Sequence, residues 1–230
     1  MTKAILLDIE GTTTPIDFVH KVLFPFAKER IGQYVEQQFG ELSSEISRLV
    51  DERSQDETYT LSVDPTEPGS IAAYLEHLIS VDRKSTPLKS VQGGIWKAGY
   101  ESGELKSIVY DDVPQAFHRW TNESKTIAIY SSGSVLAQKL LFGYTDHGDL
   151  TPFISAHFDT NIGHKRDPDS YSKISTELGF SPEDILFLSD IPEELDAASE
   201  VGFQTRLVVR PGNARVETAH QSIQTFDELN

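Results

Sequence analysis

From Asp112 onward, short apolar runs alternate with segments of helical spacing, and that rhythm admits few folds. Residues 113–120 read as a helix, 126–130 as a strand, and a second helix follows through Leu136, Leu140 and Leu141. Another strand-like run covers 153–158. Asp167-Pro168 then supplies a helix cap with proline in the first turn, and that helix is expected to reach Gly179. Ser181-Pro182-Glu183-Asp184 starts a single turn ahead of the strand-like Ile185-Leu186-Phe187-Leu188; 192–201 is helical and 205–209 is a last strand. Strands separated by helices imply an α/β fold with a doubly wound, parallel, Rossmann-like sheet.

The first strand of such a sheet lies at the other end of the chain. Ala4 to Leu7 is an apolar run that stops at Asp8, after which Ile9-Glu10-Gly11-Thr12-Thr13 turns away and Pro15 closes the loop. A buried strand that delivers a carboxylate to its C-terminal edge is how open α/β sheets place ligand chemistry. Two carboxylates two residues apart, beside a glycine that lets the backbone turn, suit a nucleophile next to an acid/base group or a metal ligand.

More than a hundred residues separate Asp8 from the next strand end at Ser131, whereas a whole strand–helix–strand unit needs only about 30. The surplus is an inserted, mainly helical domain, 16–108, leaving 1–15 and 109–230 as the core. Ile16, Val19, Leu23, Phe26, Tyr34, Val35 and Phe39 follow helical spacing, interrupted by Pro25, which predicts either a kinked helix or two in succession. Leu42, Ile46, Leu49 and Val50 mark a further helix, and Pro68-Gly69-Ser70 starts another. The stretch from Gln92 to Gly103 packs four glycines around Trp96 and Tyr100. Glycine at that density predicts a hinge or a site-lining loop, or else an irregular linker. An insertion leaving the sheet at its catalytic edge would sit over that edge as a lid.

Charge and composition exclude several functions. Twenty basic residues against 36 acidic ones give a formal charge of −16, which disfavours nucleic acid and anionic membranes, since both need a concentrated positive surface. The absence of cysteine removes disulfides, thiolate metal sites and cysteine nucleophiles. No apolar run approaches the ~18 residues needed to span a bilayer, and no signal-peptide layout follows Lys3. A monomeric cytoplasmic protein is expected, nuclear as well if the source is eukaryotic.

The strand ends then carry Asp8 with Glu10, Ser131 with Ser132, Lys165 on a following loop, and Asp190 with Glu193 and Glu194. Together they supply a carboxylate nucleophile, hydroxyl donors, a fixed cation and acids for Mg2+, which is what phosphoryl transfer requires. Arg166 adjoins Lys165, so chemistry alone does not choose the cation. Glu193 and Glu194 suit a helix N-terminus in any case, or could support a metal from behind its direct ligands. His164 has no second histidine at ligand spacing.

Asp8-Ile9-Glu10-Gly11-Thr12, then Ser131, Lys165 and Ser189-Asp190, resemble the four motifs of the haloacid dehalogenase superfamily. Where that superfamily's phosphatases carry a second aspartate, this chain has Glu10. With 130–134, 163–166, 187–198 and the Gln92-Gly93-Gly94-Ile95-Trp96 stretch, that departure resembles the enolase-phosphatase E1 branch, also called acireductone synthase. The resemblance runs from about Leu6 to Gly212 and is thin between Gly40 and Ser90. It implies a superfamily core with an inserted cap, one Mg2+ ion, and a small phosphorylated diketone of methionine salvage as substrate. It also implies Asp8 as phosphate acceptor and metal ligand, and Glu10 as metal ligand through its carbonyl and acid/base group through its side chain. Ser131 and Ser132 would hold phosphoryl oxygens, Lys165, selected over Arg166, would offset their charge, and Asp190 would complete the metal site. Lys97 and Glu101 are the candidates for enolisation, and Glu194 is a candidate for supporting the metal from behind its direct ligands. A phosphatase of other specificity, or a phosphate- or partner-binding protein without catalysis, would share the core residues.

Overall fold

The computed structural model describes residues 2–81, 83–213 and 216–229. Six parallel strands form one sheet in the order β3-β2-β1-β4-β5-β6: β1 (Ala4–Leu7), β2 (Thr126–Tyr130), β3 (Ile154–Phe158), β4 (Ile185–Ser189), β5 (Gln204–Val208) and β6 (Ser222–Ile223). β1 is central because its four residues, Ala-Ile-Leu-Leu, are buried on both faces, as a parallel strand between helical layers must be. Leu7 lies opposite Ile129 on one side and Leu188 on the other, so Asp8 emerges level with Tyr130 and Ser189. The chain runs outward on one side of β1 through β2 and β3, then returns to add β4, β5 and β6 on the other. The strand order therefore reverses between β1 and β4, where open α/β sheets bind ligands.

The crossovers from β2 onward are helical: α7 (Val135–Gly143), α8 (Pro168–Leu178) and α9 (Pro192–Glu200), with α6 (Asp112–Asn122) preceding β2. Local chemistry sets their ends. Ser134 Oγ accepts from Ala137 N at the start of α7, Asp167 Oδ1 accepts from Asp169 N at the start of α8, and Gly179 ends α8 at φ 74°. One core joins Ala4 and Leu6 to Ala128, Tyr130, Phe158, Tyr171, Phe187 and Leu195. The two-residue β6 escapes sequence detection because it is shorter than any periodicity can register.

Packing divides the chain into two compact units, Met1–Val19 with Lys106–Asn230, and His20–Leu105; the helical one is shorter than the 16–108 expected from sequence. A single turn, α1 (Ile16–Phe18), stays with the sheet unit and leads into a π-helical turn, Val19–Leu23. The helical unit holds α2 (Phe24–Gln38), α3 (Ser43–Ser54), α4 (Pro68–Ser80) and α5 (Thr86–Ser102). Pro25 follows the π turn directly, and the backbone stays helical from Ile16 to Gln38 with Val19 and Leu23 both in the right-handed helical region, so the chain takes the alternative of one interrupted helix, with the π turn as the interruption. α2 packs against α4 and α5 through Ala27, Ile31 and Val35, spaced four apart on one face.

The glycine-rich stretch is neither hinge, site-lining loop nor linker. It is the interior of α5, a continuous 17-residue helix capped by Ser85 and ended by Gly103 at φ 78°. Its glycines serve packing: a Cβ on Gly94 would run into the ring and hydroxyl of Tyr34, and one on Gly99 into Phe26 and Leu105. Trp96 fixes the helix further by donating from Nε1 to Leu23 O at 2.9 Å. Glycine density signals close backbone approach without saying whether a turn or a neighbouring side chain demands it.

Gly94→Ala gains about 1 kcal/mol of helix propensity but overpacks Tyr34 at a cost of roughly 1–3 kcal/mol, so the unit should lose stability. Gly32→Ala in α2, where no neighbouring atom lies within 4 Å, should stabilise by about 0.5–1 kcal/mol. Urea denaturation of both variants checks the opposite signs.

Candidate active site

At the reversal of strand order, three buried charged side chains meet. Lys165 Nζ lies 2.6 Å from Asp8 Oδ1 and 2.6 Å from Glu194 Oε2, and all three residues are buried. Asp8 reaches this point because β1 ends there; its N–H still donates to Leu188 O at 3.0 Å. Glu194 reaches it from the first turn of α9, where Ser189 Oγ donates to Glu194 Oε2 at 2.9 Å and accepts from Ile191 N. Arg166, the chemical alternative to Lys165, is exposed and lies 3.9 Å from the exposed Glu193.

Lys165 sits on a loop held by three hydroxyls. Tyr171 donates to Lys165 O at 2.6 Å, Ser170 to His164 O at 2.8 Å, and Tyr130 to Gly163 O at 3.0 Å. Gly163 has φ 148°, and a Cβ there would collide with Ser170. The carbonyls of 163–165 are thus all occupied, which fixes the direction in which Lys165 leaves the backbone.

The electrostatics follow from too many carboxylates for one ammonium. Burial alone would weaken the hold of Lys165 on its proton, but Asp8 and Glu194 outweigh it and raise the pKa above the ordinary lysine value. Asp190, one residue beyond β4, is pushed up to about 7 by burial and by the charges of Asp8 and Glu194, against the opposing pull of Lys165. Glu194 is shifted upward by burial and Asp8. Excess negative charge of this kind is relieved by a divalent cation. Among the described residues, no cluster of three or more His, Cys, Asp or Glu side chains is disposed to hold a metal unaided. Mg2+ does not require one: it is bound by one or two carboxylates, completed by carbonyl, water and phosphate oxygens. The donor set of Asp8, Asp190 and the carbonyls of the following loop fits that demand.

The Glu10 loop is a tight one. Thr12, Thr13 and Thr14 all donate from N to Ile9 O, Gly11 N donates to Thr14 O, and Glu10 pairs with Thr14 as an isolated bridge. Gly11 takes φ 70°, and a Cβ on it would strike the Asp190 carboxylate, so glycine is required twice over. Asn213 Nδ2 donates to Gly11 O at 2.9 Å, and Arg210 Nε to Thr12 O at 3.0 Å. Arg210 is itself buried between Tyr110 and Phe226 and pairs with Asp112 at 2.9 Å.

The remaining candidates divide. Ser131 is buried at the end of β2, its N–H donating to Phe158 O and its Oγ accepting from Gly133 N. Ser132 beside it is exposed. Lys97 and Glu101 belong to the helical unit, where they are about half exposed and pair with each other at 3.7 Å across one turn of α5. Arg210 and Asn213 are absent from the sequence-derived candidates, although they follow β5 as Asp8 follows β1. Their signal is the Pro211-Gly212 turn beside a strand end.

An aspartate that ordinarily titrates near 4 but is held at about 7 when folded binds more protons folded than unfolded between those limits. The metal-free protein should therefore gain stability as pH falls from about 7 toward 4, with a slope of up to about 1.4 kcal/mol per pH unit from this group. Asp190→Asn should flatten that slope and raise stability at pH 8. Urea titrations in chelator across pH 5–8 test both signs.

The model of the haloacid dehalogenase-like hydrolases matches residues 2–202. Among curated proteins, the chain is 51% identical over 230 residues to enolase-phosphatase E1 of Synechococcus elongatus, covering 98% of this chain and 96% of that one. It is 49% identical over 226 residues to the Drosophila mojavensis protein of the same name, covering 96% and 90%. Among solved structures, the UTR4 protein of Saccharomyces cerevisiae superposes with a TM-score of 0.82 at 36% identity, covering 99% of each chain. The chain belongs to the enolase-phosphatase E1 family of haloacid dehalogenase-like hydrolases.

Proposed function

We propose that this protein converts 2,3-diketo-5-methylthiopentyl-1-phosphate to 1,2-dihydroxy-3-keto-5-methylthiopentene and phosphate in methionine salvage, as a cytoplasmic enzyme working as a monomer with one Mg2+ ion. The observation that carries this reading is the Lys165 ammonium clamped 2.6 Å from Asp8 at the end of β1. The Glu10 position sets the chain apart from phosphatases with aspartate there.

In this reading Asp8 attacks phosphorus and the bond from phosphorus to the substrate oxygen breaks. Water then hydrolyses the aspartyl phosphate, returning the Asp8 carboxylate. Bound Mg2+, held by Asp8, the Glu10 carbonyl and Asp190, would supply neutralisation of phosphoryl charge. Lys165 fixes the Asp8 carboxylate through Oδ1 and brings a positive charge to the same point. Ser131 and Ser132 bind phosphoryl oxygens, and the Glu10 side chain serves as the acid/base group. Glu194 keeps Lys165 in place through its own 2.6 Å contact. The helical unit is the inserted cap, with Lys97 and Glu101 as candidates for removing the carbon proton and stabilising the enolate.

The expected time course with the diketo phosphate and Mg2+ is a rise in ultraviolet enol absorbance before phosphate appears. Phosphate release without an enol intermediate would instead indicate a phosphatase of other specificity. Asp8→Asn should cut phosphate release by at least about a thousandfold, because no acceptor remains for the phosphoryl group. Full release by that variant would remove Asp8 as nucleophile. Proton exchange from solvent into substrate by Lys97→Ala and Glu101→Ala tests the enolisation roles; undiminished exchange in both would exclude them.

A further inference from the structure

Asn213 makes an arrangement that the proposed reaction leaves unused. It follows β5 in the Pro211-Gly212-Asn213 turn and donates from Nδ2 to two carbonyls, Gly11 O at 2.9 Å and Val208 O at 3.3 Å. Both partners are acceptors, so the amide can be oriented only one way: the NH2 group faces them and Oδ1 faces away. That Oδ1 is buried and has no hydrogen-bond partner among the described residues. Its position is well marked, because a Cβ built on Gly11 would meet the Asp190 carboxylate and also stand 3.1 Å from Asn213 Oδ1. A carboxylate and a fixed amide oxygen therefore flank the same side of Gly11, next to the peptide that carries the Glu10 carbonyl.

An amide oxygen buried without a donor loses its hydration with nothing in return. Among the described residues none donates to it, and Asp190 beside the same face of Gly11 is an acceptor in the ionised form that a bound cation selects. A water bound to a cation at Asp190 would satisfy it, since such a water donates strongly. We infer that Asn213 is a positioning residue for the divalent-cation site: it anchors the Gly11 carbonyl, and with it the Glu10–Gly11 turn, and accepts a hydrogen bond from a water on the ion. The inference rests on the Mg2+ reading given above. Arg210 anchors the next carbonyl, Thr12 O, but its remaining contacts run to Asp112 and Gln224 O and tie the loop to the rest of the unit. Asn213 alone of the pair turns an acceptor toward Asp190.

The test is calorimetric titration of the metal-free protein with Mg2+, comparing wild type, Asn213→Ala and Asn213→Ser. Groups that support a metal's direct ligands typically change affinity by about 10–100-fold when removed. The expected result is a Kd raised at least about tenfold in Asn213→Ala, with the thermal midpoint of the metal-free protein within a few degrees of wild type. Should the alanine variant fail to fold, Asn213→Ser is read in the same way. A folded variant that binds Mg2+ as wild type does overturns the inference while leaving the Mg2+ reading intact. A wild-type protein that takes up no Mg2+ overturns both.

Discussion

One ammonium shared between two buried carboxylates governs the sheet unit's functional edge. Asp8 and Glu194 arrive from β1 and α9, elements far apart in sequence, and each would carry an uncompensated charge into a dry environment without Lys165. Removing one partner from such a pair typically costs 3–5 kcal/mol, because the other charge stays behind. The surroundings are arranged accordingly: three hydroxyls hold the lysine's loop, Ser189 orients Glu194, and strand register brings Asp8 level with Ser189. Even so, one cation does not balance three acids. The residue of negative charge appears as the raised pKa of Asp190, and that imbalance makes the site receptive to a divalent ion.

The same imbalance reconciles an acidic protein with an anionic substrate. A net charge of −16 repels phosphate at long range, but salt screens exposed charges beyond about 8 Å at physiological strength. Within the site what counts is local: in the proposed reaction Lys165 and a bound metal ion would meet the phosphoryl group and offset the surplus carboxylates there. The overall charge thus bears on solubility and on the exclusion of nucleic acid rather than on substrate choice.

Much of this was legible in sequence, for a definite reason. Parallel strands buried on both faces read as short apolar runs, and the residue that ends each run sits at the ligand-binding edge; Asp8, Ser131 and Asp190 are all found by that rule. Lys165 and Glu194 are not at strand ends: the family resemblance, not local chemistry, separates Lys165 from Arg166, and the burial that separates Glu194 from Glu193 is encoded by no local pattern. The glycine-rich helix α5 looks like a hinge, loop or linker in sequence because Gly94 and Gly99 answer to Tyr34 and Phe26, residues some sixty to seventy positions away. Arg210 and Asn213 went unselected for a similar reason: their partners are the backbone carbonyls of Thr12 and Gly11, and a carbonyl leaves no mark in the sequence.

The position of β1 has a consequence for the order of assembly. It is the centre of the sheet, yet its partners β2 and β4 begin only at Thr126 and Ile185. On the ribosome the helical unit His20–Leu105 emerges complete while Ala-Ile-Leu-Leu still has both edges open. Pairings this distant in sequence close slowly, and an open apolar strand is the segment through which nascent chains associate wrongly. Residues that end up fully buried at the centre of the sheet are therefore left with open edges until most of the chain is made.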